Sequence, residues 1–127
     1  MQKFILGAGA IMAMLAVILG AFGAHALESY LVENNRLETY KTAVNYQFYH
    51  ALGLLAVGLF YTYRPVSLTE WAGLALLGGI VIFSGSLYAL CFTGIRMLGA
   101  ITPIGGVLFI VGWFCFFLSI WNMKGDG

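Results

Sequence analysis

Along this chain, long apolar stretches alternate with very short polar interruptions. Four runs, residues 4–27, 43–63, 71–95 and 97–121, are each long enough to cross a bilayer core. A helix needs about 20 predominantly apolar residues to span about 30 Å of hydrocarbon. The pattern predicts an all-α integral membrane four-helix bundle, in one transmembrane domain covering residues 1–127. Between the first two runs, residues 28–42 are different. They hold five of the eleven charged residues, Glu28, Glu33, Arg36, Glu38 and Lys41. Leu27, Tyr30, Leu31, Leu37, Tyr40 and Val44 recur there at helical spacing, which gives one apolar face. That reads as an amphipathic helix lying on the membrane surface, with an irregular loop as the alternative.

The punctuation fits four helices. Arg64-Pro65 ends the second, since a charge is followed by a residue that cannot continue a helix. Ser67 with Glu70, just before Trp71, reads as a capping box opening the third. Gly94 and Arg96 make a tight turn into the fourth. Pro103 in its early turns, with Gly105-Gly106 behind it, can kink the helix or leave carbonyls unpaired. Membranes tolerate that only against protein or water.

Composition strengthens the class. Hydrophobic residues are 61% of the chain and charged residues 9%, far below the roughly 25% of a soluble domain. A net charge of +1 offers no basic stripe, which argues against nucleic acid. Cys91 and Cys115 lie in or beside spans and read as unpaired apolar residues. Lys3, the apolar run and Ala24-His25-Ala26 imitate a signal peptide, but the run exceeds an h-region of about 7–15 residues. The expectation is a retained first span, because Gly9, Ala13, Ala16, Gly20 and Gly23 also form a small-residue ridge for helix packing. Such ridges predict self-association, and a homo-oligomer is expected.

An even number of spans places both termini and the Arg64 loop on one side, with Arg36, Lys41 and Arg96 on the other. Charge bias slightly favours cytoplasmic termini. Tyr61, Tyr63, Trp71 and Trp121 form an aromatic belt on that terminal side.

Polar groups inside spans are costly, so their positions are informative. Antiparallel threading gathers His25, Asn45, Gln47, His50, Ser84, Ser86, Arg96 and Thr102 in the half opposite the termini. The terminal half is expected to hold little beyond aliphatic and aromatic packing. Tyr46, Gln47 and His50 share a helical face, and His50 lies roughly 10 Å below the helix start. Its imidazole can donate and accept, and its charge changes near neutral pH. Two readings stand open: a polar, proton-responsive cavity with His25, or interhelical hydrogen bonds that fix the bundle. Arg96 is either a partner for a substrate anion or a helix cap touching lipid phosphate. Cys91, Met97, His25 and His50 could be imagined around a soft metal, but no ligand spacing supports it. No metal and no cofactor are expected. Ser84-Gly85-Ser86 shows no nucleophile–base pattern, so catalysis is not expected.

Four motifs carry a family resemblance. Gly20-Ala21-Phe22-Gly23-Ala24-His25-Ala26-Leu27 resembles the hallmark of the domain of unknown function 423 family of small bacterial YwdK-like membrane proteins. Tyr46-Gln47-Phe48-Tyr49-His50-Ala51-Leu52, Phe83-Ser84-Gly85-Ser86-Leu87-Tyr88 and Ile101-Thr102-Pro103-Ile104-Gly105-Gly106 look like its further motifs. The resemblance spans nearly the whole chain. It implies a four-span protein of the bacterial inner membrane and implies no activity.

Two function classes follow. One is a small channel- or transporter-like oligomer that passes a solute or proton, using His25, Gln47, His50 and Arg96 at one mouth. The other is a non-catalytic membrane scaffold or lipid-binding component, in which polar residues stabilise packing while Arg96 and Lys41 meet head groups. The first needs a polar half open to water; the second needs that half sealed.

Overall fold

A computed structural model describes residues 1–124, and all regular structure among them is helical. The helices are α1 (Gln2–Ala24), α2 (Glu28–Glu33), α3 (Leu37–Phe60), α4 (Ser67–Thr93) and α5 (Met97–Trp121). Three of them, α1, α4 and α5, are long and apolar enough to cross a membrane. The fourth long helix, α3, has 24 residues, but Asn45, Gln47 and His50 dilute the hydropathy of its first half.

Residues 28–42 do not form one amphipathic helix. Asn35 adopts a left-handed conformation (φ 54°), and the Asn34 side-chain amide donates to the Tyr30 carbonyl at 2.8 Å. Asparagine reaches that region at low cost because its short polar side chain bonds locally. The chain therefore stops after α2 and starts again at Leu37, so residues 37–42 become the opening turns of α3. The expected capping box is not formed either. Ser67 is the first helical residue, no side chain caps α4, and the Glu70 carboxylate instead accepts from the Tyr61 hydroxyl at 2.8 Å. The turn at Gly94 is as expected: φ of 70° there closes α4 in the left-handed region that glycine enters freely. Through Pro103, α5 runs unbroken.

Packing proceeds in order: α1 lies on α3, α3 on α4, and α4 on α5, with α1 touching α4 only lightly. Hydrogen bonds fix the antiparallel threading. At the terminal end the Gln2 amide donates to the Gly58 carbonyl (3.0 Å) and to the Thr62 hydroxyl (2.5 Å). Ile5, Leu54, Val57, Ala72, Leu76, Ile80 and Phe109 form the main core, and Leu31, Tyr40 and Cys91 a second cluster at the other end.

Glycines set how closely the helices approach. A Cβ at Gly9 would stand 3.0 Å from the Ala51 carbonyl oxygen, and one at Gly105 would run into the Phe83 backbone. The ridge read along α1 is thus used within the chain. Gly9, Ala16 and Gly23 are buried, Ala13 and Gly20 half-buried, and α3 is the helix they face. This removes the ridge as a reason to expect a second copy. Large apolar side chains cover the outside instead, among them Val17 on α1, Leu59 on α3, Val81 on α4 and Ile110 on α5.

Candidate functional site

The end of the bundle opposite the chain termini, its inner end, contains polar side chains paired with one another or bonded to backbone. Gln47 makes contacts to two neighbouring helices. Placed on α3 between α1 and α4, it donates from Nε2 to the Met12 carbonyl (2.9 Å) and accepts at Oε1 from the Tyr88 hydroxyl (2.6 Å). Only 3% of it is exposed. An amide in this position ties three helices together with one donor and one acceptor.

The serines and threonine are engaged in the same manner. Ser84 donates to the Ala43 carbonyl at 2.7 Å, which pins α4 to α3. Ser86 and Thr102 share a hydroxyl–hydroxyl bond of 2.5 Å across the α4–α5 seam. The Phe83 carbonyl is within reach of Ser86 and the Leu98 carbonyl within reach of Thr102. One hydroxyl donates across the seam while the other, accepting that bond, donates to its own helix, so both hydrogens are placed without water. The Tyr40 hydroxyl donates to the Leu19 carbonyl and so ties α3 to α1.

His50 points elsewhere. Its ring stacks on Phe109 with centroids 3.5 Å apart and planes 11° from parallel, and Tyr46 and Trp113 flank it. Nδ1 lies 2.7 Å from the Tyr46 carbonyl, a contact in which the ring nitrogen donates because a carbonyl can only accept. His50 therefore faces α5 and Tyr46 the seam of α4 and α5, its ring closest to Phe83, whereas Gln47 faces α1 and α4. The single face read for all three covers about 100° of helix surface, enough to serve two different seams.

The remaining candidates are not part of this set. His25 follows the end of α1 and is exposed; Arg96 precedes α5 and is exposed; neither side chain has a hydrogen-bond partner among the described residues. Asn45 is exposed as well and lines a cavity of about 420 Å3 between α1 and α3, with Glu28 and Lys41 at its edge. The structure thus places Gln47, Ser84, Ser86 and Thr102 in one half of the bundle but at separate seams, Gln47 with Met12 and Tyr88, Ser84 with Ala43 and Ser86 with Thr102. It sets His50 in an aromatic stack and leaves His25, Asn45 and Arg96 outside. Among the described residues, no three His, Cys, Asp or Glu side chains gather where a metal ion could be held.

Four participants were absent from the sequence reading of the site. Tyr40 and Tyr88 supply hydroxyls to the inner cluster; Thr69 and Ser119, both fully buried, bond to each other at 2.5 Å in the terminal half. That pair corrects the expectation of a purely apolar terminal half. A tyrosine one helical turn beyond Ser84 was a usable signal, since a buried phenol needs a partner.

The fold and these buried contacts define a small, all-helical membrane protein whose inner polar groups are matched within the chain. It belongs to the family described as "Protein of unknown function (DUF423)", whose model matches residues 19–106. That stretch contains all eight polar candidates read from the sequence. Similar proteins include a UPF0382 membrane protein of Staphylococcus epidermidis, 49% identical over 98% of this chain and 100% of its own length. A UPF0382 membrane protein of Staphylococcus saprophyticus is 54% identical over 89% of this chain and 92% of its own. UPF0382 membrane protein YwdK of Bacillus subtilis is 50% identical over 89% and 91% respectively. No solved structure matches the chain.

Proposed function

We propose that this protein is a non-catalytic, non-conducting component of the bacterial cell membrane, a scaffold or lipid-binding element. Its four long helices span the bilayer with the termini in the cytoplasm, and α2 lies in the opposite interface. One observation carries the reading. Gln47, Ser84, Ser86 and Thr102 each bond to a neighbouring helix or to one another, which holds them in interhelical contacts and away from a path. A conducting route needs polar groups that exchange partners with a passing solute. The serine hydroxyls that a hydrolase would need are held by the Ala43 carbonyl and by Thr102, which supports the non-catalytic reading.

The four-span arrangement is supported by the matched lengths of the long helices and by the exposed Tyr63, Trp71 and Trp121 at the terminal end. Aromatic residues of that kind favour head-group depth. A homo-oligomer would have to bury part of the outer apolar faces of α1 and α5, which bilayer hydrocarbon otherwise covers.

The test is a flux assay on proteoliposomes loaded with a pH-sensitive dye and, separately, with small ions. Leakage equal to that of protein-free vesicles is expected, for wild type and for His50→Ala. Flux through the wild type that His50→Ala abolishes would instead establish the competing reading, a proton or small-solute pathway.

A further inference from the structure

The cavity between the inner ends of α1 and α3 has a composition unlike the sealed cluster behind it. Gly20, Gly23 and Val44 line it with small or apolar surface. Glu28 of α2 and Lys41 and Asn45 of α3 line it with charge and an amide. The hollow has a local cause. Gly20 withdraws a side chain from α1 where it faces the opening turns of α3, while the Tyr40 ring takes the space that Gly23 leaves and so forms part of the wall. The break at Asn35 sets α2 apart from α3, so Glu28 reaches the cavity from a separate element. A volume of about 420 Å3 lies within the range of small-ligand sites.

The polar groups at this cavity are available. Neither the Glu28 carboxylate nor the Asn45 amide has a hydrogen-bond or ion-pair partner among the described residues. Lys41 makes one loose contact, 3.8 Å to Glu38, with both side chains largely exposed. An ion pair of that kind holds little free energy and gives way readily to a better anion. One opening therefore offers a cation, an anion and an amide above an apolar floor, at the level where α1 ends. In a membrane-spanning chain that level is the head-group zone.

We propose that this groove binds one phospholipid whose head group carries a primary ammonium beyond its phosphate, as phosphatidylethanolamine does. Lys41 meets the phosphate and Glu28 the ammonium. Asn45 lies one turn further along α3, about 6 Å deeper, where it donates to an ester carbonyl of the glycerol backbone. The first part of an acyl chain rests on Gly20, Gly23 and Val44. Charge selects the head group. A head group with only a phosphate meets repulsion from Glu28. A choline carries the positive charge but has no N–H to donate to that carboxylate, and charge-assisted hydrogen bonds are the strong ones. The proposal rests on the lipid-binding reading above and adds the class of lipid.

The test uses the full chain, purified in mild detergent and exposed to equimolar phosphatidylethanolamine, phosphatidylglycerol and phosphatidylcholine, with retained lipid counted by native mass spectrometry. Wild type is expected to retain phosphatidylethanolamine about tenfold over the other two, the scale of one charge-assisted hydrogen bond. Glu28→Gln and Lys41→Gln change exposed positions and should leave helicity and elution volume unaltered. Glu28→Gln should reduce the preference to near parity, whereas Lys41→Gln, which loses the phosphate contact common to the three lipids, should lower retention of all of them. Gly20→Leu should fill the floor and lower retention of all three lipids. Glu38→Gln, outside the cavity lining, should change nothing. Equal retention by wild type, a preference for phosphatidylglycerol, or a preference that survives Glu28→Gln would each overturn the proposal. The flux assay separates the two levels. Tight vesicles without lipid preference remove only this inference, whereas protein-dependent flux removes the sealed reading beneath it.

Discussion

The two halves of the bundle bury polar groups on different scales. In the terminal half, one hydroxyl pair, Thr69 with Ser119, joins α4 to α5 beside an aliphatic core of Ile5, Leu54, Val57 and Leu76. In the opposite half, Tyr40, Gln47, Ser84, Ser86, Tyr88 and Thr102 link all four long helices, largely through backbone carbonyls of neighbouring helices. The polar half resembles a solvated mouth in sequence, yet Tyr40, Gln47 and Ser84 are almost as buried as Thr69 and Ser119, while Ser86 and Thr102 are slightly less so and Tyr88 is half-buried. Polarity inside a span therefore reports hydrogen bonding first, and water only where partners are missing. Partners are missing for Asn45, His25 and Arg96 at the surface of this half; in its interior, among the described residues, His50 Nε2 has no polar partner and sits in the aromatic stack.

The largest effect should come from steric closure at the α4–α5 seam. Gly105→Ala sets a methyl against the Phe83 backbone, which cannot rotate away, and should cost about 3 kcal/mol in unfolding titrations in mixed micelles. Gly112→Ala, in the terminal half, meets chiefly the Leu76 side chain and should cost less; Gly85→Ala, with nothing near it, should be close to neutral. Equal losses at 105 and 85 would mean that the seam is looser than described.

Next in size is the amide hub. Gln47→Leu removes the donor to Met12 and orphans the Tyr88 hydroxyl, a loss of about 2 kcal/mol. Adding Tyr88→Phe should cost nothing further, because its partner is already gone. An additive double variant would show that water, not Gln47, satisfies Tyr88.

A smaller effect compares the halves directly. Thr69→Val and Ser86→Ala each delete one member of a hydroxyl pair and should cost about 0.6 kcal/mol, the average for interhelical bonds in membranes. Similar values would place both pairs in equally dry surroundings. A neutral Ser86→Ala beside a costly Thr69→Val would mark the opposite half as wet. The smallest effects belong to His25→Gln and Arg96→Gln, exposed positions whose unfolding free energies should stay within about 0.5 kcal/mol of wild type.

Much of the fold was legible because apolar run length and helix punctuation are local signals. Arg64-Pro65 and Gly94 mark real boundaries, and antiparallel threading of the runs put Ser84, Ser86 and Thr102 in one half, though not which of them meet. What failed depended on geometry that spacing does not encode. Asn34-Asn35 broke the amphipathic stretch through one left-handed residue inside an otherwise helical pattern. Ser67 and Glu70 have capping-box spacing, but Tyr61 from the preceding helix takes the carboxylate. Gln47 and His50 share a nominal face, yet α3 stands between three neighbours, so a modest rotation sends them to different seams. For the site, residue types were recognised, but whether each was paired could be read only from the packed helices. The tyrosines were overlooked because a phenol counts with the apolar residues until its hydroxyl is placed.

The central claim is that the inner half is polar but closed to water, and thiol labelling in a bilayer tests it most directly. In a Cys91→Ala/Cys115→Ala background, Ser84→Cys is nearly isosteric and occupies a position only 1% exposed, while His25→Cys is an exposed control in the same half. A charged, membrane-impermeant thiol reagent should modify His25→Cys at the rate of a free surface thiol and leave Ser84→Cys untouched until the protein is unfolded. Modification of Ser84→Cys in the folded protein at a comparable rate would contradict a sealed half and return the interior to the status of an aqueous path.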